Sequence, residues 1–84
     1  NISESFFGDI KLYPNPTMGD FIIDFSKSYN ELEILIYDIN GRIIDEYTLE
    51  NTSRINLNPN ISAGLYFIKI INSSQSIVLK LIKK

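Results

Sequence analysis

Apolar and polar residues alternate with a period of two along most of this chain. Phe21, Ile23 and Phe25 share one side of a segment in which Asp24 faces the other way, as in a strand that buries one face. Turn-forming residues separate this segment from others with the same alternation. The predicted strands are residues 10–13, 21–25, 32–38, 42–49, 54–57, 65–71 and 77–83. No segment has a convincing helical period, so we predict an all-β fold.

The dipeptide Asn40-Gly41 lies between two apolar runs. This is a strong hairpin signal, because both central residues of a type I′ turn need positive φ angles. On the returning strand, Ile43 is in phase with Tyr47 while Ile44 is out of phase. A β-bulge near the turn would reconcile the two isoleucines.

Pro14, Asn15 and Pro16 follow the first predicted strand. A proline has no N–H to donate and a fixed φ, and the residue before it favours extended conformations. The segment therefore cannot join a central ladder, which predicts that residues 10–13 form an edge strand. Such an ending presents few free donors and discourages edge-to-edge association.

The whole pattern fits one small domain. Seven short strands within 84 residues predict a seven-stranded antiparallel immunoglobulin-like β-sandwich. Residues 1–9 are polar apart from Phe6-Phe7 and are predicted to be a linker, with the domain at residues 10–84. The chain does not begin with Met, shows no signal peptide and has no apolar run long enough to cross a bilayer. We therefore expect a piece of a longer or processed chain.

The composition disfavours most catalytic chemistry. The chain has no histidine and no cysteine, which removes the usual general base, the commonest metal ligand and the best nucleophile. Its carboxylates are dispersed, and Gly41 comes too early after Asp38 for a calcium loop. We predict no enzymatic activity, no metal and no cofactor. A net charge of −2 with mixed signs gives no electrostatic basis for binding nucleic acid.

Five tyrosines raise the alternative of a carbohydrate-binding platform. Tyr66 alternates with core positions, and others lie in or beside predicted strands, where aromatic residues are favoured in any case. Only Tyr29, in the polar stretch SKSYN, is predicted to be exposed. Packing within the strands is the preferred interpretation of the rest.

The last predicted strand carries Lys80 and ends in Lys83-Lys84. One interpretation is a solvated basic end that protects a sheet edge from pairing. The other is a recognition element read by a receptor. Charge alone leaves both interpretations open, although removing two terminal residues is expected to cost little core burial.

Several segments, taken in order, resemble the type A C-terminal sorting domain of the type IX (Por) secretion system of Bacteroidetes. Each segment alone is weak evidence, whereas the ordered set at this length is specific. The segments are LYPNPTMGDFIIDF (12–25), ILIYDINGRII (34–44), INL (55–57), SAGLYFIKI (62–70) and VLKLIKK (78–84).

The resemblance implies a non-catalytic, immunoglobulin-like address domain, covalently linked to an upstream cargo. It would direct the cargo from the periplasm to the cell surface or the medium. The implied partners are the type IX translocon and its outer-membrane shuttle and sortase components, and the sortase would remove the domain. The residues that match family motifs and are expected to be mainly structural are Pro14, Asn15, Pro16, Gly41, Gly64 and Tyr66. The candidates for translocon recognition are Lys80, Lys83 and Lys84.

Two alternatives belong to other classes of function. The chain could be an accessory β-sandwich of a secreted enzyme, of the fibronectin or carbohydrate-binding kind, which an exposed aromatic row or a metal site would favour. It could also be a small enzyme, which the missing histidine and cysteine disfavour.

Overall fold

A computed structural model describes residues 9–73 and 75–84. These residues form antiparallel β-structure and contain no helix. A single curled sheet has the order β1-β2-β4-β5, and β3 also pairs with β2. The strands are β1 (Lys11–Tyr13), β2 (Phe21–Tyr37), β3 (Ile43–Leu57), β4 (Gly64–Asn72) and β5 (Gln75–Lys83). The all-β prediction is confirmed.

The described residues form five strands, and the predicted count of seven is not confirmed. Each of the predicted segments lies almost wholly in strand, but two pairs of them run on as the long strands β2 and β3. At about 3.3 Å per residue, the 17 residues of β2 would span more than about 50 Å if straight. The longest dimension of the molecule is 35 Å, so β2 must bend. Polar residues lie in the middle of β2 and of β3. In the sequence they resembled turns between strands, which is why each long strand was predicted as two.

The bend in β2 coincides with a shift in its pairing with β3. The register changes between Asp24, which faces Arg54, and Tyr29, which faces Thr52. Ser26, within this interval, has a φ of 72°, and its N–H donates to the Asp24 carboxylate at 2.9 Å. The extra residues on β2 form an irregularity of the β-bulge type, which bends a strand and increases its twist.

The bend also explains why Tyr29 was wrongly predicted to be exposed. Tyr29 is buried, with its ring edge-on to Phe25 at a centroid distance of 6.3 Å. The Lys27 ammonium group lies 5.4 Å from the centre of the same ring. Tyr29 therefore continues the buried face of Phe21–Phe25 through a stretch that is otherwise polar.

The β2–β3 hairpin is confirmed, but its predicted turn type is wrong. Gly41 alone among the turn residues has a positive φ, 83°, whereas a type I′ turn needs two. The Gly41 N–H donates to the Asp38 carbonyl at 3.0 Å, and the Asp38 N–H donates to the Arg42 carbonyl at 3.0 Å. This is a three-residue loop with glycine at the left-handed position. The Asp38 carboxylate stabilises this loop because it accepts hydrogen bonds from the Asn40 and Arg42 N–H groups at 2.9 and 3.0 Å.

The predicted bulge near this turn is confirmed by a register shift between Ile36 and Tyr37. It exposes Ile43 and lets Ile44 pack against the core together with Tyr47. The sequence had left the phase of the two isoleucines open, and the structure places Ile44 inward and Ile43 outward. An irregularity of one residue exchanges the two faces of a strand, which is why periodicity alone could not assign them.

Asp38→Asn should destabilise the hairpin at neutral pH and make it less sensitive to acid. Two backbone N–H donors and the Arg42 guanidinium, 3.3 Å away, hold the pKa of the Asp38 carboxyl below its usual value. A depressed carboxyl pKa adds stability above the unfolded-state value near 4, and this stability is lost as pH falls through the folded-state value. Urea midpoints measured between pH 7 and pH 2 test this. Parallel curves for both proteins would contradict it.

The core lies between the two halves of the curled sheet. The first half of β2 pairs with β1 and the end of β3, while its second half pairs with the start of β3 and with β4. Side chains from both halves form one buried cluster, and β5 contributes Leu81. The members with no more than 1% exposure are Phe21, Ile23, Phe25, Ile34, Ile36, Ile68, Ile70 and Leu81.

Candidate functional site

The end of β5 is held against the turn that contains the two prolines. The Asn15 side chain donates from Nδ2 to the Lys80 carbonyl at 2.8 Å, and its Oδ1 accepts the Ile82 N–H at 2.9 Å. A side-chain amide carries the same donor and acceptor as a peptide group, so Asn15 occupies the place of a neighbouring strand. Both prolyl bonds, after Tyr13 and after Asn15, are cis.

Thr17 continues this contact through its backbone. Its N–H donates to the Ile82 carbonyl at 2.8 Å, and its carbonyl accepts the Lys84 N–H at 2.8 Å. The result is a short parallel bridge between Thr17 and Lys83. Asn15, Thr17 and residues 80–84 are called the C-terminal clasp below. The clasp covers the edge of β5 that does not pair with β4, at the C-terminal end of the strand.

Thr17 also anchors the turn internally. It is the one fully buried polar side chain among the described residues. Its hydroxyl donates to the Asp20 carbonyl and accepts the Gly19 N–H at 3.0 Å. A buried hydroxyl with both roles filled costs little to bury. The clasp therefore rests on a rigid turn.

Asn15→Ala should lower the free energy of unfolding by about 1–2 kcal/mol. It removes two side-chain hydrogen bonds, each contributing about 0.5–1.5 kcal/mol, at a site that water can reach. Asn60→Ala, at an exposed asparagine that also adjoins a proline, is the matched control and should leave stability unchanged within about 0.5 kcal/mol. Chemical denaturation compares the two. Equal midpoints for both variants would show that the Asn15 amide does not hold β5.

The three candidate lysines share one strand end but not one face. Lys80 is exposed and pairs with Phe67, whereas Lys83 is half-buried and pairs with Gly64. Alternation along β5 directs the side chains of Lys80 and Lys83 to opposite faces. Lys84 is exposed, and the Lys83 ammonium donates to its carbonyl at 3.0 Å. The structure thus gathers these residues at the clasp without forming one cationic pocket.

Charge is segregated along the chain. All 10 acidic residues precede residue 51, the last of them being Glu50. From β4 onward the only charged side chains are Lys69, Lys80, Lys83 and Lys84. Because β4 and β5 pair with each other, the end of the sheet that carries the clasp is basic while the net charge of the chain is −2.

Gly64 and Tyr66 shape the entry into β4. Gly64 has a φ of 154°, a conformation that other residues rarely adopt. Tyr66 is buried, and its hydroxyl donates to the Ser62 carbonyl at 2.7 Å. The loop before β4 is therefore fixed to the strand that follows it, opposite Lys83 of the clasp.

Gly64→Val should lower the free energy of unfolding by about 1–3 kcal/mol, because a β-branched residue is strained at that φ. The steric environment adds little, since a Cβ at Gly64 would lie 3.9 Å from the nearest atom of the Tyr66 ring. Ala63→Val, at the exposed neighbouring position, serves as the control. A denaturant midpoint for Gly64→Val equal to that of Ala63→Val would show that the glycine conformation is dispensable.

Titratable groups with altered pKa values lie away from the clasp. Asp38 belongs to the hairpin turn. Burial raises the pKa of Tyr47 to about 12, helped by its hydrogen bond to the Asp45 carboxylate at 2.7 Å. Burial also raises the pKa of Tyr29. These shifts follow from burial and local hydrogen bonds, and none of the three groups belongs to the clasp.

The features that would favour the alternatives are not seen in residues 9–73 and 75–84. No three metal-ligating side chains in these residues come together. Of the tyrosines, Tyr29 and Tyr66 are buried, Tyr37 and Tyr47 are half-buried, and only Tyr13 is exposed, at 38%. They form no aromatic row of the kind that binds sugars. Phe6 and Phe7, in the predicted linker, lie outside the described residues.

No helix in the described part of the chain is both long enough and apolar enough to span a membrane. What the fold and the clasp define is a small all-β domain whose last strand is bound back to its first turn. A family model described as the secretion system C-terminal sorting domain matches residues 11–84.

The chain therefore belongs to the family of type IX (Por) secretion C-terminal sorting domains, as the resemblance predicted. The family implies a source in the Bacteroidetes, a role as a C-terminal secretion signal and export toward the cell surface or the medium. Its members are generally not catalysts. A search of curated proteins finds no match.

Sequence reasoning found the motif residues but missed what the first motif contacts. The edge-strand prediction is confirmed for β1, which pairs with β2. The contact between Asn15 and β5 was not foreseen, nor was the backbone bridge between Thr17 and Lys83. The available signal for this contact was an asparagine between two prolines. The prolines restrict the backbone on both sides, so the amide side chain is held ready to hydrogen-bond another segment.

Proposed function

We propose that this domain directs a covalently attached upstream cargo through the type IX translocon to the cell surface, where a sortase removes the domain. The family match over residues 11–84 carries this proposal. The clasp supports it, because it presents the backbone of residues 80–84 to a partner in one fixed conformation. Residues 1–9 then serve as the linker to the cargo and contain or adjoin the processing site.

The recognition residues of the proposal are Lys80, Lys83 and Lys84. Their backbone is fixed by Asn15, Thr17 and β4. Their side chains are exposed or half-buried, so most of the cationic surface is available to a partner. The motif residues of the turn and of the β4 entry act through the fold, by holding this strand in place.

We also propose that the two halves of the curled sheet serve as the layers of an immunoglobulin-like sandwich. The divided pairing of β2 supports this assignment. So does the hydrogen bond from Tyr66 to a carbonyl four residues upstream, which resembles the tyrosine corner of such sandwiches. A crystal structure with two stacked layers would support it, and one with a single open sheet would overturn it.

A reporter fusion tests the sorting function. A fluorescent protein with an N-terminal export signal and residues 1–84 at its C-terminus is expressed in a Bacteroidetes host. We expect the reporter at the cell surface or in the medium, without the domain. The same fusion in a host with a disabled type IX system is the control and should stay in the periplasm. Retention of the reporter in the periplasm of the intact host would overturn the proposal.

A further inference from the structure

The outward face of the β4–β5 hairpin is unusually apolar. Its side chains point away from the core, because Tyr66, Ile68 and Leu81 of the same strands point into it. These outward side chains form what we name the outer hairpin face: Leu65, Phe67, Lys69, Val78, Lys80 and Ile82. Val78 is 56% exposed, Ile82 42% and Leu65 37%.

The apolar residues of this face adjoin one another. Leu65 and Ile82 are directly paired across the two strands, as are Phe67 with Lys80 and Lys69 with Val78. Phe67 and Val78 are diagonal neighbours in this register, within reach of each other's side chains. Single exposed apolar residues are normal on a protein surface, whereas a contiguous group marks an interaction site.

The β3 edge of the same outward face provides an internal comparison, since Glu46 and Lys69 both pair with Leu35 of β2. On β3, the residues that face away from the core are Glu46, Thr48 and Glu50, all exposed. That polar face is what an antiparallel sheet presents to water. The hairpin departs from this rule within one molecule, so the departure belongs to β4 and β5 rather than to the composition of the chain.

The charges on this face indicate the kind of partner. Lys69 and Lys80 are its only charged members, and no acidic residue follows Glu50 in the sequence. A symmetric contact between two copies of this face would enclose four lysines and no carboxylate of the face to pair with them, which like-charge repulsion disfavours. A partner that presents apolar side chains flanked by carboxylates would satisfy both the apolar and the cationic parts.

We propose that the outer hairpin face is a docking surface for a translocon protein that presents an apolar patch rimmed by carboxylates. This inference rests on the proposed sorting function. It adds a second contact region, the outward face of the β4–β5 hairpin, to the lysines at the end of β5. Apolar contacts supply the affinity, and Lys69 and Lys80 orient the partner and speed its approach.

The main test replaces two apolar residues by threonine in the reporter fusion. Val78→Thr with Ile82→Thr keeps β-branched residues in the strand while removing apolar contact area. The matched control is Ile39→Thr with Ile43→Thr, at exposed isoleucines of the β2–β3 turn. We expect the first variant to lower surface reporter about tenfold or more, with an unchanged thermal midpoint of the purified domain. The control variant should be exported normally.

A second set of variants changes only charge, so its outcome does not depend on how the threonine variants fold. Lys69→Glu should lower export, Lys69→Arg should preserve it, and Lys11→Glu, at an exposed cation on β1, should have no effect. Normal export of Lys69→Glu would show that the partner does not present carboxylates to this face. Normal export of the Val78 and Ile82 variant would overturn the docking surface while leaving the sorting function intact. Failure of the unaltered fusion would instead overturn the sorting function.

Sedimentation of the purified chain identifies the competing occupant. We expect a monomer whose sedimentation does not change in the Val78 and Ile82 variant. A dimer that is lost in that variant would show that a second copy covers the face, and would overturn the proposed partner.

Discussion

Replacing Ile68 with alanine should lower the free energy of unfolding by about 2–5 kcal/mol. Ile68 is fully buried on β4 and lies between Ile36 of β2 and Leu79 of β5. The truncation removes apolar contacts on both sides and leaves a cavity at the junction of three strands. Small domains have a stability of only about 5–15 kcal/mol, so this one change should remove a large part of it.

Val78→Ala provides the control for Ile68→Ala. It shortens a side chain on the same hairpin that points outward and is more than half exposed, 56%. We expect it to cost less than about 1 kcal/mol. Urea unfolding followed by tyrosine fluorescence measures both. Similar losses for the two variants would mean that the hairpin does not pack with the face assigned to it.

Lys83→Gln combined with Lys84→Gln should lower export of the reporter about tenfold and leave the fold intact. Glutamine is a polar side chain somewhat shorter than lysine; the double substitution keeps the backbone of the clasp but removes two charges. Two cationic contacts that together contribute about 1.4 kcal/mol correspond to that factor in binding. Surface reporter and the thermal midpoint of the purified domain are measured on the same variants.

Substitution is the sharper experiment here than truncation. Deleting both residues would remove the hydrogen bond from the Lys84 N–H to the Thr17 carbonyl, as well as the pairing of Lys83 with Gly64. The expectation that these residues cost little to remove therefore holds for burial but not for backbone hydrogen bonds. Lys11→Gln with Lys27→Gln removes two exposed cations elsewhere and is the charge control. Export that falls equally in both pairs would point to net charge rather than to an address.

Periodicity predicted the strands well because the buried face of each one is nearly continuous. It failed where the backbone changes register. Tyr29 looked exposed because its neighbours are polar, yet its ring packs edge-on against Phe25 beside the register shift that follows Asp24. The phase of Ile43 and Ile44 could not be assigned because a second register shift lies beside them. A polar stretch can be a bend within one strand or a turn between two strands. Which of these it is depends on the strand that pairs with it, and that strand lies elsewhere in the sequence.

Part of the clasp was singled out from the sequence. Motif resemblance pointed to Asn15 and to the terminal lysines, whose role in recognition stays a prediction. Sequence order could not show that the two regions meet, because the contact from Asn15 to Ile82 spans 67 positions. The outer hairpin face was also missed, since the alternation of β4 and β5 directs attention to the residues that face inward.

The clasp has a consequence for when this domain can fold. Its closing hydrogen bonds join partners 65 and 67 positions apart, and Leu81 of the core also comes from the last strand. Long-range pairing of this kind makes folding slow, because the entropy of closing a long loop is lost before the contacts form. Until residues 80–84 have left the ribosome, neither these hydrogen bonds nor the core contacts of Leu81 can form, so the sheet stays open while β1 to β4 are being made.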